Sequence, residues 1–204
     1  MAAVIAVLEE LRGLAPLTAA GAAARFSAQE WTPEGKLRDG VETSWDKDGV
    51  RGWIQTFGSG AVCVSFAVWI RDVDESGYFD DVEAVYEQGE QALAGFLPEI
   101  EESPLAGHLV EAEQTAADKD EFIEVKKWNL GGRILTAGVI QQDADLPVMV
   151  VVALEEPAPA RPTSLAIVHQ EVLTEALDVA VGDEAGGEAE EGFVDVVASF
   201  PSGP

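Results

Sequence analysis

The chain has 204 residues, with 12 Lys+Arg against 38 Asp+Glu, a net charge of −26, and 47% hydrophobic residues. That length suits one domain with a full core, and the apolar content excludes general disorder. The charge excludes a phosphate-neutralising surface for nucleic acid or anionic membrane, which needs clustered Lys and Arg, and it favours a basic partner. An acidic, Ala/Gly-rich proteome would raise the same charge with no partner at all.

The single cysteine, Cys63, excludes an internal disulfide and a multi-cysteine metal site. The opening stretch MAAVIAVLEELRG lacks a basic n-region and sets Glu9 and Glu10 where a signal peptide would stay apolar. No apolar run approaches the roughly 20 residues a membrane helix needs, so the expected location is cytoplasmic.

Val4, Ile5, Val7, Leu8, Leu11 and Leu14 recur at helical spacing, and Pro16 ends that helix. Thr18 is placed to cap a second, alanine-rich helix through about Gln29. Small side chains mark this pair as a lid or edge layer. Val41 to Trp45 begins a strand region, Asp46 to Gly49 is a turn, and Val50 to Phe57 is the next strand. After Gly58-Ser59-Gly60, Ala61 to Arg71 alternates large apolar with small residues, as a strand in mid-sheet does. Tyr78 to Leu97 keeps a helical period for about five turns, with Pro98 as its end or a kink. Glu99 to Lys119 is a polar connector, with a short strand expected at His108 to Glu113.

Phe122 to Leu130 and Arg133 to Gln141 are two β-rich runs separated by Gly131-Gly132, a two-residue hairpin signal. After a turn at Gln142 to Asp145, Val148 to Leu154 is apolar on both faces, a buried strand. Pro157 to Pro162 breaks the pattern, and Ser164 can cap a last helix through about Val179. Gly182 to Gly192 is acidic and low in apolar residues, and Gly192 to Phe200 carries a few that could dock. The expected architecture is α+β: an antiparallel sheet built from two three-stranded meanders with helices on one face. Residues 1–180 form the expected domain and residues 181–204 an acidic tail.

Nothing in the chain points to catalysis. His108 and His169 are the only histidines, and Cys63 sits mid-strand among apolar neighbours where a thiol is inert. Gly131-Gly132-Arg133 lacks the spacing and the following helix of a phosphate loop. No cofactor is expected. Asp72, Asp74, Ser76, Gly77, Asp80 and Glu83 follow a calcium-loop spacing, though Ser replaces Asp or Asn and a strand precedes it. The competing reason is that acids favour a helix N-terminus. Trp45, Trp53 and Trp128 fall on strands beside turns, where they either fill the core or form an aromatic anchor patch. With Asp46, Asp48, Asp143 and Asp145 they make the candidate partner-binding set.

Lys127 to Leu135 (KWNLGGRIL), followed by Gln141 to Pro147, resembles a pattern of small actinobacterial α+β proteins. The element order is similar to the type III secretion chaperone-like fold shared by YbjN-like sensory-transduction regulators, and to several immunity proteins encoded beside polymorphic toxins. The resemblance implies a binding protein and carries over no catalytic residue. The expected function is a non-enzymatic immunity protein or chaperone that docks a basic toxin or effector. The alternative is a small-ligand or calcium-dependent sensor.

Overall fold

The structure, a computed structural model, describes residues 2–58, 60–73, 78–143 and 146–156. The expected last helix Ser164–Val179 with His169, the tail of residues 181–204, and Asp74, Ser76, Gly77 and Asp145 lie outside the described residues.

Helices α1 (Ala2–Arg12) and α2 (Ala19–Ala28) come first, followed by short strands β1 (Thr32–Pro33), β2 (Leu37–Arg38) and β3 (Val41–Glu42). Strands β4 (Ser44–Lys47), β5 (Val50–Thr56) and β6 (Val62–Arg71) lead into the long helix α3 (Tyr78–Glu101). A 3-10 turn at Ala106–His108, β7 (Leu109–Glu111) and α4 (Ala116–Glu121) precede β8 (Glu124–Leu130), β9 (Arg133–Ile140) and β10 (Val148–Glu155).

The fold is α+β with an antiparallel sheet. Its eight strands lie in the order β1-β4-β5-β6-β10-β9-β8-β7, and β2 and β3 form a separate pair. The sheet is therefore larger than the two three-stranded meanders expected. β6 pairs with β10, which joins both halves into one sheet, and β1 and β7 extend the two edges. The stretch Val41 to Trp45 is not one strand: Val41–Glu42 pairs with Leu37–Arg38, and Ser44 onward joins the main sheet.

The hairpin turns follow from local chemistry. Gly131 and Gly132 take φ of 64° and 90°, the double left-handed turn that matches strand twist, and they pair Leu130 with Arg133. Asp48 and Gly49 do the same between β4 and β5.

The first face of the sheet holds the main core. Val4, Val7, Leu8 and Leu11 from α1, Phe26 from α2, and Leu93, Phe96 and Ile100 from α3 pack there on Val64, Phe66, Leu135, Val150 and Val152. Each such side chain contributes roughly 1.5–3 kcal/mol by leaving water. The paired N-terminal helices are thus part of the core and not a lid. Phe26 stacks on Trp45 with centroids 5.4 Å apart and meets Trp31 edge-on at 5.1 Å. Helix α3 continues through Pro98 to Glu101.

Arg133 fastens the N-terminal layer to the sheet. It is 7% exposed and donates from Nη1 to the Leu11 carbonyl at 2.9 Å and the Arg12 carbonyl at 3.2 Å, and from Nη2 to the Leu14 carbonyl. A cation on the carbonyls that end α1 satisfies orphan acceptors and opposes the helix dipole. Glu156 completes the tie, accepting the Leu17 N–H at 3.0 Å and lying 3.8 Å from Arg133.

The second face is not bare of helices, contrary to the one-face expectation. Helix α4 runs beside β8 there: Thr115 accepts from the Asp118 N–H at 3.2 Å, and Asp118 accepts back from the Thr115 N–H at 2.6 Å. This reciprocal capping box is what lets a six-residue segment with no large apolar side chain hold a helix.

Candidate functional site

The three tryptophans of the candidate set are not an exposed patch. Trp45 is 4% exposed, Trp53 3% and Trp128 3%. Trp45 and Trp128 belong to the main core, whereas Trp53 lies on the second face. The hairpin register accounts for the split, because Trp45 faces Gly52 across β4–β5 while Ser44 faces Trp53. The rings fill cores on both sides of the sheet.

The aspartates fare differently. Antiparallel pairing puts the β4–β5 turn, the connection leaving β6 and the β9–β10 turn at the same end of the sheet. Asp48, Asp72 and Asp143 are exposed there and Asp46 is half-buried. Helix α3 starts from that end and carries exposed Glu83, Glu87 and Glu90, with no Lys or Arg among its 24 residues. Arg71 is exposed at the same end, and Lys47 donates to the Gln29 carbonyl.

Of the calcium-loop positions, Asp72 and Glu83 are exposed, while the loop between them and the Asp80 side chain fall outside the described residues. Among the described residues no three His, Cys, Asp or Glu side chains are grouped to hold a metal ion.

A second cluster of ionisable groups lies on the second face. Cys63 stands between Gln55 on β5 and Glu155 on β10 in the strand register. Lys127 on β8 bonds Asp118 of α4 at 2.8 Å. Burial pushes the Asp118 carboxyl up, but hydrogen bonds from Lys127 and from the Thr115 N–H and hydroxyl outweigh it and hold the carboxyl below its ordinary value. Glu121, one helical turn on, is raised from 4.5 to about 7 by burial first and by the Asp118 and Glu155 carboxylates, with Lys127 opposing. Burial, and then the Glu155 charge, pushes the Cys63 thiol well above its ordinary range. Such a thiol is a poor nucleophile at neutral pH. His108 is exposed beside the edge strand β7, with β10, β9 and β8 between that strand and the Cys63 strand.

The sequence alone draws attention to Cys63 but assigns no site role to Asp118, Glu121, Lys127 or Glu155. The signal for the first was available: Thr115-x-x-Asp118 is a capping-box spacing, and it announces α4. Glu121 follows Asp118 on the same helix, and Lys127 and Glu155 are brought in by sheet pairing, which no local pattern reports.

No helix of the described residues is long and apolar enough to cross a membrane. Comparison with protein-family models, curated proteins and solved structures returns no match.

Proposed function

We propose that this chain is a non-enzymatic, cytoplasmic binding protein that docks a basic protein partner through the acidic end of its sheet and the adjoining outer face of α3. In the setting implied by its resemblance to toxin-immunity and chaperone-like proteins, the partner is a cationic toxin or effector domain. Docking blocks the partner by occlusion. The observation that carries this reading is the set of exposed carboxylates Asp48, Asp72 and Asp143 at one end of the sheet, followed by exposed Glu83, Glu87 and Glu90 on α3, in a chain of net charge −26. Complementary charge steers encounter and raises the association rate more than it lowers the dissociation rate. With the tryptophans buried, the contact is polar and its affinity sensitive to salt.

A lysine-rich peptide serves as the probe. The triple variant Asp48→Lys/Asp72→Lys/Asp143→Lys is expected to weaken its binding at least about tenfold, roughly 1.4 kcal/mol. An equal charge change at the exposed residues Glu111, Glu113 and Asp120 leaves binding within about twofold. Equal losses in both variants, or an affinity that ignores ionic strength, would remove the acidic end as a site.

A further inference from the structure

We propose that the second face of the sheet is the seat of the chain's own C-terminal region, with the amphipathic stretch Ser164–Val179 as the element that lies on it. The face is apolar at its centre: Trp53, Cys63, Ala67, Met149, Val151 and Ala153 are each 3% exposed or less. Helices α1 to α4 contribute no residue to that apolar cluster, and Phe122, Phe57 and Leu146 are the non-strand residues packed with it. Side chains so placed on a sheet need a second layer, because a strand face gains its stability by packing against another element. The described helices of the main core supply that layer to the opposite face.

The path of the chain points to the occupant. Met149, Val151 and Ala153 of β10 line the face, and the chain leaves that strand at Glu156 with residues 157–204 still to come. Glu156 is held by its N–H to the Val62 carbonyl at 3.3 Å and by Leu17, so the departure point is fixed. The next residues, PAPARPT, favour an extended linker of roughly 20 Å, more than the ~10 Å between packed layers. Ser164–Val179 would then span about 24 Å as a helix, close to the ~26 Å of an eight-residue strand such as β10. Leu165, Val168, Val172, Ala176 and Val179 share one side at helical spacing, while the opposite side mixes Gln170, Glu171, Thr174 and Asp178 with Ile167 and Leu177. An element of this kind matches the missing layer in length and position, and presents a continuous apolar side to it.

Cys63 is a built-in reporter, being the one cysteine in the sequence and lying within the covered cluster. In the full-length protein, Val168→Asp/Val172→Asp is expected to speed its labelling by a maleimide at least about tenfold, while Gln170→Asp/Thr174→Asp leaves the rate unchanged. Near-ultraviolet dichroism from the Phe26–Trp45 stack on the other face reports whether the main core survives. Should the apolar variant unfold outright, single cysteines at Val168 or Val172 in the otherwise natural chain replace it. These should form an intramolecular disulfide with Cys63 under mild oxidation, and a cysteine at Gln170 should not. An unchanged labelling rate in a folded variant, or no bridge from either apolar position, overturns the proposal. Protection of Cys63 that fades on dilution would also overturn it, assigning the face to a second copy of the chain.

Discussion

At the scale of single residues, Glu121 gives the protein a pH dependence opposite to that of an ordinary carboxylate. Its folded value of about 7 lies above its ordinary 4.5 because burial and the neighbouring Asp118 and Glu155 charges disfavour ionisation. A raised carboxyl favours the folded state while protonated, so its contribution is fully present below about 4.5 and is lost as pH rises through about 7. Glu121→Gln mimics the protonated form. The urea midpoint of the variant should match the natural chain at pH 5 and exceed it at pH 8; equal midpoints at pH 8 would show that Glu121 ionises freely. Asp118 runs the other way. Its lowered value means that its contribution is present above the ordinary carboxylate range and lost in acid. Asp118→Asn strands the Lys127 ammonium, whose side chain is 13% exposed, and weakens the α4 cap, for an expected loss of roughly 3 kcal/mol at pH 7. Chemical denaturation of the variant measures it.

At the scale of elements, the aromatic contact between α2 and β5 sets how closely helix and sheet approach. A Cβ on Gly52 would come within 2.6 Å of Phe26 Cε1, at the ring that Trp45 stacks on. Gly52→Ala should therefore displace Phe26 and cost about 1–3 kcal/mol, with a weakened near-ultraviolet signal. A variant as stable as the natural chain would mean that α2 shifts without penalty. This contact also shows where the sequence stops being legible. The Thr18 cap, the Gly131-Gly132 turn and the period of α3 are local signals, and the structure contains each as expected. The role of α2 was hidden because one ring, Phe26, outweighs the alanines around it. Helix α4 was hidden because two alanines and four charged residues make no apolar period, and its capping box is the whole of its signal. The pairing of β6 with β10 spans α3 and has no local mark at all. For the candidate site, the shared end of Asp48 and Asp143 follows from strand direction once β6 is paired with β10. Counting register from the Asp48-Gly49 turn was enough to part Trp45 from Trp53, whereas the burial of both depends on layers that only the assembled fold supplies.

At the scale of the whole molecule, the charge that suits a basic partner works against the fold that carries it. With 38 acidic and 12 basic side chains, most carboxylates have no cation to meet. Ion pairs among the described residues include Arg25–Glu10, Lys126–Glu101, Lys127–Asp118 and Arg133–Glu156. Lys127–Asp118 is largely buried and costly to break, whereas the more exposed pairs Arg25–Glu10 and Lys126–Glu101 contribute little, at most about 1 kcal/mol each, and salt weakens them. Repulsion among the remaining carboxylates is long-ranged and is screened over about 10 Å at 0.1 M salt. The repulsive part therefore dominates the response to ionic strength, and screening it favours the compact state. Raising sodium chloride from about 0.02 M to about 0.5 M is expected to raise the melting temperature by several degrees, while weakening the lysine-rich peptide over the same range. The two responses have opposite signs because salt screens both the repulsion within the free protein and the attraction to a basic partner that we propose. A melting temperature that falls with salt would mean that the few ion pairs outweigh the repulsion. The acidic surface would then be a device for stability, and binding would have to be sought elsewhere on the molecule.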